Sequence, residues 1–152
     1  MKQYLCAALS LALLFSLAAC GGKEAEVAPF SPSDAATLLE SGAFSEVLEA
    51  IDTDVACALY GIDQATVTDA AVYSSTGTTA EELAIFTFTD EDAAQAALTA
   101  LGNHLEDWSA AMADYLPREI PKLEKAVLEQ RGNSLLLVVA KDYDPVEEFL
   151  NK

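Results

Sequence analysis

Few side chains in this chain are of a type and spacing that could do chemistry. His104 is the sole histidine, and as a general base it would need a nucleophile within hydrogen-bond reach. Ser109 lies five residues further along, around the predicted helix, and Cys57 is remote in sequence. The sequence contains no Gly-x-Ser-x-Gly elbow, no His-Glu-x-x-His pair and no Gly-rich phosphate loop. These observations argue against a histidine-based hydrolase.

Carboxylates are the other candidate groups. The pairs Asp52-x-Asp54, Asp90-Glu91-Asp92 and Asp142-x-Asp144 could offer oxygen ligands to Ca²⁺, but none has the full spacing of a calcium loop. Each pair lies at a predicted helix start, where acids oppose the helix dipole. We therefore expect helix capping, no tightly bound metal and no cofactor. Glu82 begins an apolar strand, and we expect its carboxylate to lie at the strand end in contact with water.

The charge of the chain is strongly negative. Its 152 residues include 25 acidic and 8 basic side chains, for a formal net charge of −17. This charge disfavours nucleic acid, which is bound by neutralising phosphates, and an anionic membrane surface. No Lys or Arg occurs from Glu24 to Pro117. Four bases then follow within fourteen positions: Arg118, Lys122, Lys125 and Arg131. They either offset nearby acids or form a surface for an anionic partner.

The N-terminus has the pattern of a secretory signal peptide. Lys2 precedes an apolar run, Leu5–Ala18, that is too short for a permanent membrane span. The stretch Leu17-Ala18-Ala19-Cys20 resembles the lipobox of bacterial lipoproteins, which implies that Cys20 is acylated. We therefore expect a signal peptide (1–19), a lipidated tether (20–31) and one acidic α+β domain (32–152). The lipid would hold the protein at the extracytoplasmic face of the cell membrane, and Cys57 would be a buried free thiol.

Capping residues and changes of hydrophobic period predict the elements of the domain. Three short N-terminal helices are expected over Pro32–Gly42, Phe44–Ile51 and Asp54–Tyr60. Two strands rich in β-branched and aromatic residues follow, over Thr66–Ser75 and Glu82–Thr89.

A continuous apolar stripe then predicts a long helix over Asp90–Tyr115, which ends before Pro117. A second hairpin is expected over Ala126–Gln130 and Ser134–Lys141, followed by a short C-terminal helix from Asp144. The fold class is thus α+β. We expect a four-stranded, mostly antiparallel sheet, with the long helix on one face and the N-terminal helices on the other.

This order of elements resembles a family of small bacterial lipoproteins known as domain of unknown function 4358. The stretches that carry the likeness are Tyr60-Gly61-Ile62, Thr79-Ala80-Glu81-Glu82-Leu83-Ala84-Ile85-Phe86, Tyr115-Leu116-Pro117, Pro121-Lys122-Leu123-Glu124-Lys125-Ala126 and Gly132. Family members often carry Arg and Gln on the long helix, where this chain has His104 and Trp108. The resemblance implies a Gram-positive envelope and brings no established activity. Glu82, Tyr115, Pro117 and Gly132 are motif residues without an assigned role.

Anchor, short tether, small domain and missing catalytic motifs together favour a non-enzymatic binding or adaptor module with an envelope protein as partner. Two alternatives remain open from the sequence. One is a small envelope enzyme that uses paired carboxylates, and the other is a module that binds divalent cations weakly.

Overall fold

An antiparallel sheet of five strands forms the centre of the structure, a computed structural model that describes residues 27–152. The strands are β1 (Glu49–Ile51), β2 (Val67–Ser74), β3 (Glu82–Phe88), β4 (Val127–Arg131) and β5 (Ser134–Val139). They are ordered β1-β2-β3-β5-β4 across the sheet, and every neighbouring pair is antiparallel. The predicted α+β class and antiparallel sheet are confirmed, but the predicted number of four strands is wrong.

The additional strand, β1, lies in the segment 44–51 that was predicted as a helix. It pairs with the edge of β2, with Ala50 opposite Tyr73. Six residues before β1, the Ala43 carbonyl accepts hydrogen bonds from the backbone N–H groups of Lys141 and Asp142, both at 3.0 Å. These bonds fix the chain where β5 ends. A helix of about two turns is marginal without tertiary packing, so pairing with β2 prevails here over local helix preference.

Strands β3 and β5 occupy the middle of the sheet, as their unbroken apolar sequences suggest. Both are buried on two faces, because layers of helices cover the sheet from both sides. Phe86 and Phe88 of β3 point into one core, whereas Leu83 and Ile85 point into the other. The alternation of side chains along a strand thus divides the interior into two cores.

Within residues 27–152, five α-helices flank the sheet: α1 (Asp34–Glu40), α2 (Thr53–Tyr60), α3 (Glu91–Tyr115), α4 (Ile120–Leu123) and α5 (Asp144–Leu150). The long helix α3 is confirmed, and the Asp90 carboxylate caps it by accepting a 2.8 Å hydrogen bond from the Ala93 N–H. Its stripe packs on one face of the sheet, where Leu101 is fully buried and Trp108 is half-buried at the margin. None of the helices in the described part of the chain has the length and apolar character needed to cross a membrane.

The N-terminal helices do not share a face, contrary to the prediction. Helix α1 packs with α5 on the face opposite α3. Helix α2 instead lies beside α3, because its buried residues Ala56, Cys57 and Tyr60 belong to the core under α3. It ends at Gly61, which has a φ of 69° that suits glycine. This position brings Tyr60 against the start of β3.

The predicted signal peptide (1–19), Cys20 and the first part of the predicted tether lie outside the described residues. The last residues of the tether segment are described, and there Phe30 packs into the domain, with 4% of its surface exposed. Its backbone N–H donates to Ser134 Oγ at 2.7 Å, and its ring stacks on Phe149, with Arg131 over the ring at 4.3 Å. The packed part of the chain therefore includes Phe30.

Candidate functional site

Two adjacent glutamates at the start of β3 are the unusual feature of this molecule. Glu81 and Glu82 are 1% and 3% exposed, respectively. Their side chains leave the chain in opposite directions, because successive residues of a strand alternate. The expectation that Glu82 lies at a wet strand end is therefore wrong. A buried carboxylate is stable only with hydrogen-bond or charge partners, and each glutamate has its own set.

Glu82 faces the layer formed by α2 and α3. The Tyr60 hydroxyl donates a short hydrogen bond to Glu82 Oε1. His104 Nε2 lies 3.4 Å from Glu82 Oε2, and the imidazole side chain is 8% exposed. Burial, followed by the neighbouring negative charge of Glu82, raises the pKa of the Tyr60 phenol. Tyr60 therefore stays protonated and remains the hydrogen-bond donor of this group.

Aromatic rings enclose this carboxylate. The rings of Tyr60 and His104 meet at 4.7 Å in an edge-to-face arrangement, and those of His104 and Trp108 lie 5.3 Å apart. Trp108 Nε1 is buried and has no hydrogen-bond acceptor among the described residues. We call Glu82, Tyr60, His104 and Trp108 the Glu82 cluster. Of the two long-helix positions noted in the sequence, His104 thus approaches the buried carboxylate of the motif, and Trp108 packs against His104.

Glu81 belongs to a second group, the Glu81 cluster, formed with Lys122, Glu119 and Ser45. Lys122 Nζ lies 2.8 Å from Glu81 Oε1 and 2.7 Å from Glu119 Oε2. The backbone N–H and hydroxyl of Ser45 also donate to Glu81, at 2.8 and 2.6 Å. The Tyr143 hydroxyl donates to the Lys122 carbonyl at 2.8 Å and thereby holds α4 in place. One lysine therefore bridges two buried carboxylates.

The charges of the Glu81 cluster stabilise one another against burial. Burial alone would raise the pKa of Glu119, but hydrogen bonds from Lys122 and the Ala80 N–H, with the charges of Lys122 and Arg118, hold this pKa below its ordinary value. Burial alone would likewise lower the pKa of Lys122. Its bonds to Glu119 and Glu81 outweigh burial and raise that pKa. Glu119 and Lys122 are therefore expected to be ionised at neutral pH.

A fourth glutamate, Glu46, fixes the turn that precedes the motif. Glu46 accepts hydrogen bonds from the hydroxyls of Ser75, Thr78 and Thr79, at 2.6, 2.8 and 2.6 Å. These three hydroxyls, Ser75 first, lower the pKa of Glu46. The contacts tie the β2–β3 turn to the segment before β1. They hold the start of β3, and hence both buried glutamates, in position.

The four bases that the sequence grouped lie in different environments. Lys122 lies within the Glu81 cluster, with 18% of its side chain exposed. Arg131 is 13% exposed, and it pairs with Glu129 at 2.7 Å and donates to the Leu150 carbonyl at 3.0 Å. Arg118, 74% exposed, approaches Glu119 at 3.8 Å, and Lys125 is also exposed. Two of the four bases are thus engaged in internal contacts, and two are open to solvent.

The remaining candidates have structural surroundings. Tyr115 ends α3 and is 73% exposed, and Pro117 opens the short 3-10 turn that follows. Gly132 has a φ of 55° in the β4–β5 turn. Cys57 is buried as a free thiol, as expected, and burial raises its pKa. Within residues 27–152, no three His, Cys, Asp or Glu side chains are grouped so as to hold a metal ion.

Sequence reasoning missed Glu81 and Tyr60 as members of buried clusters. The available signal was two consecutive acids in front of a strand that is apolar on both faces. Of two acids at such a position, one must point to each face.

Several grooves lie on the surface of residues 27–152. Five of them are lined by neither Glu81 nor Glu82. One groove between α2 and α3 is lined by Tyr60 and His104, the partners of Glu82. Its surroundings are acidic, with Asp107 at one side. The arrangement can hold a ligand beside the Glu82 cluster.

The fold and these clusters define a small α+β domain whose sheet is braced at one end by buried glutamates. A family model described as a domain of unknown function (DUF4358) matches residues 41–140, and the chain belongs to this family. The family assignment made from the sequence is confirmed. Comparisons with curated proteins and with solved structures gave no match.

Proposed function

We propose that this chain is a lipid-anchored binding module at the extracytoplasmic face of a bacterial membrane, without a catalytic role. The lipobox-like stretch Leu17-Ala18-Ala19-Cys20 supports the anchor. Membrane affinity would come from the acyl chains, because the acidic domain is repelled by anionic lipids.

The observation that carries the non-catalytic role is the engagement of the buried ionisable groups with one another. Glu81 and Glu119 share Lys122, and Glu82 is bonded by Tyr60 and approached by His104. A paired-carboxylate enzyme needs two acids that face one substrate cavity. Glu81 and Glu82 leave β3 in opposite directions, so this pair favours a structural role for the two acids.

The distance between anchor and domain supports action close to the membrane. Phe30 is packed into the domain, so the connection from Cys20 comprises about ten residues. A fully extended chain of this length spans at most about 35 Å. A partner would therefore be reached at or near the bilayer surface.

Membrane fractionation of the full chain tests the anchor. We expect the unaltered chain to sediment with membranes and to be released by detergent, and Cys20→Ala to leave the membrane fraction. Cys57→Ala is the matched control, because it removes a cysteine and retains the anchor. Both variants are checked for folding by urea denaturation. Cys20→Ala protein that still sediments with membranes would overturn the lipoprotein assignment.

A cross-linked pull-down from membranes, with the anchored full chain as bait, tests the binding role. We expect repeated experiments to recover the same partner in near-stoichiometric amount. An excess of unlabelled protein should compete with the bait and reduce that recovery. Failure to recover any competed partner would contradict the binding-module proposal, independently of the anchor.

A further inference from the structure

A groove runs along α3 beside the C-terminal end of α2. It consists of two adjoining cavities of about 270 and 350 Å³ that share Gly61. Along α3 the lining extends from Ala93 to Asp107. At 1.5 Å per helical residue, this corresponds to a length of about 21 Å. We call it the α2–α3 groove, and it is long enough for several residues of a peptide.

The two halves of the groove differ in chemistry. The first half is mainly apolar, and its lining includes Ala96 and Ala97 of α3 together with Ile62. The second half is polar, with His104 and Asp107 on α3 and the half-exposed Leu59 of α2 at its rim. A complementary ligand therefore has an apolar group followed by a polar or charged group.

Charge indicates the sign of that ligand. Asp63 lines the first half and Asp107 the second, and the segment from Glu24 to Pro117, which supplies the whole groove, contains no Lys or Arg. A cationic ligand is attracted to such a surface. A second copy of this chain presents the same acids and is repelled, and an anionic bilayer is repelled for the same reason.

We propose that the α2–α3 groove binds a basic peptide segment of a partner protein. An apolar side chain of the segment would cover Ala96 and Ala97, and a Lys or Arg would lie near Asp107. The inference rests on the proposed binding function and names its surface and the chemistry of its partner.

The test selects peptides on the full chain, purified in detergent, from a displayed library of random peptides of about 16 residues, enough to span the groove as a helix. The selected peptide is synthesised and its Kd is measured by fluorescence polarisation. Ala96→Phe fills the groove at an exposed position, and Ala113→Phe places the same ring on an exposed position of α3 outside it. Asp107→Asn and the exposed neighbour Glu106→Gln form a second matched pair.

We expect enrichment of basic peptides with an apolar anchor. Ala96→Phe should weaken binding about tenfold or more, and Asp107→Asn about twofold to fivefold, the range of one exposed charge pair. The two control variants should bind like the unaltered chain. Enrichment of neutral or acidic peptides, no enrichment, or equal binding by Ala96→Phe and Ala113→Phe would overturn the groove assignment. A competed partner in the membrane pull-down would still support the binding module, so the two failures are distinguishable.

Discussion

Removal of Lys122 is the sharpest test of the Glu81 cluster. The Lys122→Ala substitution leaves Glu81, with none of its side chain exposed, and Glu119, with 7% exposed, without their shared ammonium group. Removing one partner of a buried ion pair costs about 3–5 kcal/mol. Because 18% of the lysine side chain reaches solvent, we expect the lower end, about 3 kcal/mol in the free energy of unfolding at pH 7.

The assay is urea denaturation, with Lys125→Ala as the control. Lys125 is exposed and lies three residues further along, so its removal changes the net charge equally but breaks no buried pair. We expect Lys125→Ala to change the free energy of unfolding by less than about 0.5 kcal/mol. Equal costs for the two substitutions would refute the reasoning.

The cost of Lys122→Ala should also depend on pH. In the unaltered chain, the lowered pKa of Glu119 adds stability above the ordinary glutamate value of 4.5, and this stability is lost as pH falls through the lowered pKa. In the variant, Glu119 is buried without the lysine, so protonation of Glu119 removes an unfavourable buried charge from the folded state. The difference between the two proteins should therefore shrink from pH 7 towards pH 4.5. A difference that stays constant over this range would contradict the assigned ion pairs.

Three further outcomes are expected. Tyr60→Phe should lower the free energy of unfolding by about 1–3 kcal/mol in urea titrations, because Glu82 loses its closest donor, whereas Tyr115→Phe, at an exposed site, should be neutral. Gly102→Ala within α3 should raise the free energy of unfolding by up to about 1 kcal/mol, since nothing lies within 4 Å of the added methyl. Gly132→Ala should lower it by about 1–2 kcal/mol because this residue has a positive φ, and reversed signs would refute the reasoning. NaCl should raise the melting temperature by screening acid repulsion, and micromolar Ca²⁺ should do no more than Mg²⁺. A Ca²⁺-specific shift would contradict the prediction that the acid pairs hold no tightly bound metal, pairs of which Asp90 alone makes a side-chain helix cap in residues 27–152.

The sequence predicted the elements whose signals are local. Helix α3 was predicted because Asp90 supplies a cap and an apolar stripe continues along the helix, and both features act within the helix itself. Tyr115, the last residue of the predicted stripe, is exposed. Strands β3 and β5 were predicted because both are rich in aliphatic residues, joined in β3 by aromatic ones. Each is apolar on both of its faces, as expected for a strand inside a covered sheet. Strand β1 was not predicted, since its three residues carry no alternation and pair only because β2 offers a free edge.

The two clusters could not be predicted from local signals, because their members are far apart in the sequence. Glu81 is bonded by Ser45 and by Lys122, which are 36 and 41 residues away, and Glu82 by Tyr60, 22 residues away. Whether a carboxylate at a strand end is wet or buried depends on the elements that cover it. The helices that carry Tyr60 and His104 were predicted from the sequence, but the elements that carry Glu119 and Lys122 were not. The placement of α2 beside α3 was not predicted either.

The contact between Phe30 and Phe149 determines where a reporter can be attached. It places the C-terminal helix α5 beside the point where the chain enters the domain from Cys20. Under the proposed lipidation of Cys20, a fluorescent protein fused after Lys152 would be held near the bilayer and crowd the anchor. The β2–β3 turn lies at the other end of β3, about 23 Å away for a strand of seven residues. Under the same proposal, a small tag inserted at Gly77 would project on the side away from the lipid, where an antibody could reach it on intact cells.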